Sequence, residues 1–194
     1  MKKPTRERIL EAATKLFLRD GYHATGIEAI ITKADISRMT LYNHFKSKDE
    51  LIIEVLNKRH RDWMYRFTSF VESHAKSPQK QLLALFDALQ DWFEDDDYYG
   101  CAFVNAAAEF SLRDPENQAL KIAAEHKRDL EEYILNIAKA AKVEHPEKLT
   151  LQICLLIEGA ITSALIYGNS GNSNFAKEAK DTVKQLMDNT VSVS

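Results

Sequence analysis

The chain has 194 residues, 45% of them hydrophobic and 28% charged, a net charge of −3, and only six glycines and four prolines. That length suits one large domain or a small one joined to a larger one, and the scarcity of breakers points to long helices. Cys101 and Cys154 stand far apart without a CxxC spacing, which argues against a disulfide framework or a zinc site. Residues 1–10 lack the apolar core of a signal peptide, and "ICLLIEGAITSALIYG" is interrupted by Glu158, so a cytoplasmic chain with no membrane span is expected.

Taken in order, residues 5–20 place Ile9, Ala13, Leu16 and Phe17 on one helical face and stop at Gly21. Thr25 and Glu28 have capping-box spacing at the head of a short helix that buries Ile27, Ile30 and Ile31 and ends near Ala34. Asp35 falls at a sharp turn and tolerates the left-handed conformation better than most residues. Ser37 then caps "RMTLYNHF", barely two turns long. Ser47 and Glu50 form a second capping box and open a helix that runs to about His74. Ser77-Pro78 supplies an N-cap and first helical residue for a segment to about Phe93, followed by an acidic loop at Asp95–Asp97. Helices are expected over 102–110, 117–142, 146–167 and about 175–191, with breaks at Arg113-Asp114-Pro115 and "GNSGNSN". The expected fold is all-α.

Charge is unevenly spread. Residues 1–50 hold ten Lys and Arg against seven Asp and Glu, a net of +3, which leaves −6 for the remainder. A basic head on an acidic body suits an anion-binding domain attached to something else.

"DISRMTLYNHFKSKDEL" (35–51) is rich in groups that could do chemistry. Wound on a helix at about 100° per residue, Leu41 and Phe45 share one face, Met39, Thr40 and Asn43 the opposite one, and Tyr42 and His44 the flanks. His44 lacks an i+4 ligand-type partner, and a Tyr-x-His pair does not share a face, so neither a metal nor a catalytic site is expected. Two apolar anchors beneath short polar groups, after a short helix and a tight turn, instead describe a helix-turn-helix. Thr40 and Asn43 can bond base edges and Met39 can meet a thymine methyl. Tyr42, His44, Lys48 and the capped helix starts at Thr25 and Ser47 suit phosphate contacts, and Ser37 and Arg38 join the candidate DNA-binding set.

The string "TGIEAIITKADISRMTLYNHFKSKDEL" resembles the DNA-binding domain of the TetR (tetracycline-repressor-like) family of transcriptional regulators, and "TLYNHFKSKDEL" is its most specific part. The resemblance implies a three-helix DNA-binding domain (1–50) joined by a long helix to a helical ligand-binding and dimerisation domain (51–194). It implies a homodimer on a palindromic operator, released by a small-molecule effector, with no cofactor and no enzymatic activity. Four positions depart from the usual pattern: Gly26, Ile31, Asp35 and Met39, with Asp35 bringing negative charge near DNA. A helix-turn-helix protein that organises DNA without regulating transcription is the alternative.

In the body, Trp63, Phe67, Phe86, Trp92 and Tyr133 are candidates to line an effector pocket. Cys101, Asn105 and Glu109 recur at i, i+4 and i+8 on an otherwise apolar helix, so they either join that pocket or form a buried hydrogen-bond network. Gly159 with Ser163, and Ala160 with Ala164, make small-residue stripes that permit close helix approach, and Val183 and Leu186 offer an apolar face on the last helix. These are the expected dimer contacts. The histidines have no metal-like spacing.

Overall fold

The structure is a computed structural model that describes residues 3–110, 116–168 and 174–191; the expected breaks at 113–115 and over most of 168–174 lie outside them. Among the described residues all regular structure is helical. The elements are α1 (Thr5–Asp20), α2 (Ile27–Ala34), α3 (Arg38–His44), α4 (Lys48–His74), α5 (Pro78–Phe93), α6 (Ala102–Phe110), α7 (Gln118–Ala140), α8 (Pro146–Tyr167) and α9 (Phe175–Val191).

Local chemistry sets most of these boundaries. Ser37 Oγ accepts the Thr40 N–H, Ser77 Oγ the Lys80 N–H and Ser47 Oγ the Glu50 N–H, each satisfying a donor that a helix start leaves orphaned. Glu50 returns the bond to the Lys46 N–H at 2.6 Å, one residue earlier than an ideal capping box requires. Asp35 closes α2 in the left-handed conformation (φ 51°, ψ 60°). Thr25 departs from the expectation. Gly26 is the N-cap of α2 and makes no side-chain cap, whereas Thr25 is buried and its hydroxyl donates to the Gly21 carbonyl at 2.7 Å and lies 3.2 Å from that of Leu16. Its hydroxyl ties the α1–α2 turn instead of heading a helix.

By packing, the chain forms two compact units, and they do not divide at residue 50. The first combines Met1–Asp62 with Cys101–His126, and the second combines Trp63–Gly100 with Lys127–Ser194. In the first unit α1 packs on α2 and α2 on α3 around Ile9, Ala13, Phe17, Tyr22, Ile30, Leu41 and Phe45, all within 1% of complete burial. Each of the buried Ile, Leu and Phe side chains contributes roughly 1.5–3 kcal/mol. Segment 101–126 belongs here because Tyr22 OH donates to the Ala102 carbonyl (3.0 Å), Phe110 packs on the Tyr22 ring, and His126 stacks on Phe103 at 3.7 Å.

In the second unit α5, α8 and α9 pack against one another. The inner face of α8 is Leu149, Ile153, Ile157, Ala160, Ile161 and Ala164, and Val183 of α9 is fully buried. By length and composition alone α8 is apolar enough to cross a membrane, but it carries Glu158, paired with Lys127 at 2.5 Å, and this inner face is a bundle core. Tyr98 OH donates to the Ile161 carbonyl at 2.6 Å, and Gly100 adopts φ +75°, where a Cβ would lie 2.8 Å from Leu165 Cδ2.

Candidate nucleic-acid interface

The interface is built from the turn outward. Asp35 and Ile36 donate their N–H groups back to the last turn of α2, which lets the chain reverse in two residues. Arg8 of α1 reinforces the turn: its Nη2 donates to the Ala34 carbonyl at 2.5 Å and the Asp35 carbonyl at 2.7 Å. These are carbonyls at the negative end of α2, where a cation is favoured. The Asp35 carboxylate is only 3.6 Å from that guanidinium but is 91% exposed, so the backbone contacts carry the interaction.

Leu41 and Phe45 then anchor α3 as expected, with exposures of 0% and 1%. Arg6 lies over the Phe45 ring at 5.1 Å and pairs with Glu54 at 2.5 Å. The outward residues are Met39, 74% exposed, and Tyr42, 43% exposed, together with Asn43 and His44. Met39 and Asn43 are four apart and share one face.

Five of the expected contact residues, Ser37 among them, are already engaged. Thr40 is half-buried and its hydroxyl shares a 2.8 Å hydrogen bond with Ser37 Oγ, so Asn43 is the freer polar group. Arg38 pairs with Glu28 of α2, both well exposed, an arrangement in which the pair adds little and the guanidinium can be reassigned. Lys48 donates to the His23 carbonyl at 3.1 Å, and partial burial holds its ammonium below the ordinary lysine range. Thr25 is enclosed and has no hydroxyl left for a ligand.

The candidate residues of the body separate. Trp63, Arg66, Phe67, Phe70, Asp91 and Trp92 line a narrow cleft with about 10 Å³ of free space, with Trp63 stacked on Phe67 at 4.5 Å and edge-on to Trp92 at 5.4 Å. Arg66 at its rim is held by Asp95 and by Asp91 (2.7 Å), which raise its pKa above the usual value. Phe86 is 1% exposed core and does not line the cleft. The Tyr133 phenol is raised to about 12 by burial and the nearby Glu72. Among the described residues, Tyr133 OH and Thr150 Oγ1 are the buried side-chain polar atoms without a hydrogen-bond partner. Thr150 carried no sequence signal, because a threonine inside an apolar helix usually bonds its own backbone.

The Cys101–Asn105–Glu109 stripe resolves at Glu109. One carboxylate oxygen accepts the Tyr22 N–H (2.9 Å) and the other the His23 N–H (2.7 Å). Cys101 is buried in the same unit, beside Tyr22, whose phenol burial pushes well above its ordinary range. The dimer candidates also divide. Ala160, Ala164 and Val183 are buried within the chain and Leu186 and Ser163 are half-buried, whereas Gly159 is open, with nothing within 4 Å of where a Cβ would sit. Leu151, Leu155 and Ile166, 58%, 65% and 67% exposed, lie on the Gly159 face.

A short helix with buried apolar anchors and an exposed polar face, set by a two-residue turn on a packed three-helix head, defines a helix-turn-helix DNA-binding protein. Residues 9–55 match the family model described as bacterial regulatory proteins of the tetR family. The chain is 30% identical over 169 residues to the HTH-type transcriptional regulator LmrA of Bacillus subtilis, covering 86% of this chain and 89% of that one. It therefore belongs to the TetR family of transcriptional regulators. A TetR-family regulator from Streptomyces coelicolor has the same fold, with a TM-score of 0.87 at 23% identity over 96% of this chain and 95% of that chain. The HTH-type transcriptional repressor DhaR of Mycobacterium sp. strain GP1 is 30% identical over 108 residues, 56% of this chain; the match spans about half (53%) of the DhaR length.

Proposed function

We propose that the chain acts as a homodimeric repressor, binding a palindromic operator through α3 and leaving it when a small molecule occupies the body. The observation that carries this is the exposed Met39–Tyr42–Asn43 face on a helix whose opposite side is fully buried. Met39 meets a thymine methyl and Asn43 an adenine edge, while Tyr42, Arg38, His44 and Lys48 hold phosphates. One short helix covers too little DNA for tight specific binding, so two are needed, one helical turn of DNA apart, about 34–36 Å. The exposed leucine face of α8 supports such pairing. Two orphaned buried hydroxyls, at Tyr133 and Thr150, and the aromatic cleft support an effector. The cleft offers only about 10 Å³, room for about one water, so an effector there requires its aromatic side chains to part. The effector shifts DNA binding only by its difference in affinity for the two states, typically about 1–3 kcal/mol.

Selection from a random-sequence DNA pool at two salt concentrations tests this reading. Enrichment of a palindrome whose affinity falls with salt is the expected result; no enrichment at either salt contradicts it. A reporter downstream of the selected site distinguishes repression from activation. Within that assay, Tyr42→Phe and Lys48→Ala should weaken all sequences alike, while Asn43→Ala should lower the preference for the selected site by about 1–3 kcal/mol per altered contact. Equal losses on specific and random DNA for all three would defeat this division.

Asp35→Gly separates strain from charge. Relief of the left-handed aspartate, about 1 kcal/mol, is offset by the greater freedom of glycine in the unfolded chain, about 0.5–1 kcal/mol. Thermal stability should therefore barely move. Removing the exposed carboxylate should strengthen binding to every DNA sequence at low salt, and the gain should vanish at high salt. A gain that survives high salt would point to a changed turn geometry instead.

A further inference from the structure

Glu109 holds two backbone N–H groups 86 and 87 residues away, in the turn that leads into the helix-turn-helix. The contacts around it converge on the same three residues. His23 Nε2 lies 3.1 Å from the Glu109 carbonyl oxygen, and Phe110 meets the His23 ring edge-on at 4.8 Å. Gly21, at φ +91°, leaves room for the carboxylate: a Cβ there would lie 3.1 Å from Glu109 Oε1. At the other end of α6, Tyr22 OH reaches the Ala102 carbonyl. Downstream, α2 has no side-chain cap at Gly26, so its start is placed by the turn before it, through Thr25 and the Gly21 carbonyl. The turn, α2 and α3 are packed in series, and Arg8 fixes the joint between the last two.

We propose that Glu109 is a positioning residue for DNA binding: its carboxylate fixes the 21–23 turn to α6, and through that turn it sets the placement of α2 and the recognition helix α3. Both oxygens are used, one per N–H, and hydrogen bonds to a charged group are among the stronger ones. A single carboxylate bound to two consecutive amides resists rotation of the turn as well as its withdrawal. The proposal rests on the DNA-binding reading above.

The test uses the full-length chain and the operator selected by the wild type. Glu109→Gln keeps the side-chain length but turns an amide NH₂ toward one of the two N–H donors. The expected result is faster amide exchange at Tyr22 and His23, a thermal midpoint close to wild type, and operator affinity about tenfold weaker. Non-specific affinity should be unchanged, and the salt slope on the operator should be shallower, because misaligned heads reach fewer phosphates. A chain merely less stable would lose active fraction while the remainder kept the wild-type slope. Glu109→Asp, which keeps the charge but shortens the reach, should fall between the two and decides the matter if the glutamine variant folds poorly. Wild-type operator affinity and slope in a variant whose two amides exchange faster would overturn the proposal, as would unchanged exchange at both amides. A wild-type chain that selects no sequence would instead defeat the DNA-binding reading, and this proposal with it.

Discussion

Leu155→Glu is expected to leave the fold intact and convert the proposed dimer to monomers. The side chain is 65% exposed in the single chain, so folding gains little from it and the thermal midpoint of a monomer should hardly change. A two-fold interface uses the same patch twice, so each substitution counts twice. Losing two leucines from an interface, at about 1.5–3 kcal/mol each, weakens dimerisation by roughly 3–6 kcal/mol. That is about two to four orders of magnitude in the dissociation constant, before the cost of burying two carboxylates. Sedimentation equilibrium reads the mass directly, and operator affinity should fall with it. Ala160→Glu is the contrast: Ala160 is 4% exposed and faces the bundle core, so this change should damage folding instead of assembly. A Leu155→Glu chain that remains dimeric would move the interface off the α8 leucine face.

Phe45→Ala should abolish DNA binding by loosening the head. Phe45 is 1% exposed, anchors the end of α3, and carries Arg6 above its ring. Truncating a buried phenylalanine costs about 3–5 kcal/mol, a large part of the stability of a unit this size. Amide exchange in α3 should accelerate towards that of an unfolded segment, and binding to specific and random DNA should be lost together. Met39→Ala is the matched control. With 74% of its surface exposed, Met39 should change stability by no more than about 0.5 kcal/mol while altering the preferred sequence. Intact DNA binding by the Phe45→Ala chain would mean that α3 does not depend on its buried anchor.

Where the sequence was readable, the cause was local. Caps at Ser37, Ser47 and Ser77, the left-handed Asp35 and the Leu41/Phe45 spacing are each set by residues within one helical turn of each other. Thr25 shows the limit of that logic. Its spacing to Glu28 fits a capping box, but the N-cap position falls one residue later, at Gly26, and the buried Thr25 hydroxyl donates to the Gly21 carbonyl. Glu109 was recognisable as part of a polar stripe but not as a partner of Tyr22 and His23, since no periodicity links residues so far apart. The role of Arg8 was hidden for a related reason, its acceptors being main-chain carbonyls that every residue possesses. Small residues at Ala160 and Ala164 announce a close helix approach without saying whose helix approaches; here α8 spends them inside its own chain.

The first compact unit takes its residues from two separated stretches, Met1–Asp62 and Cys101–His126. Recombination between regulators of this kind is therefore constrained. A single crossover near residue 50 or 62 would carry off the reading helix but leave behind the carbonyl that Tyr22 bonds and the carboxylate that holds the next turn. An exchange of DNA specificity that keeps the head intact needs three crossovers, with 101–126 travelling alongside 1–62. In such lineages α6 should share its ancestry with the reader of DNA more often than with the segments on either side of it.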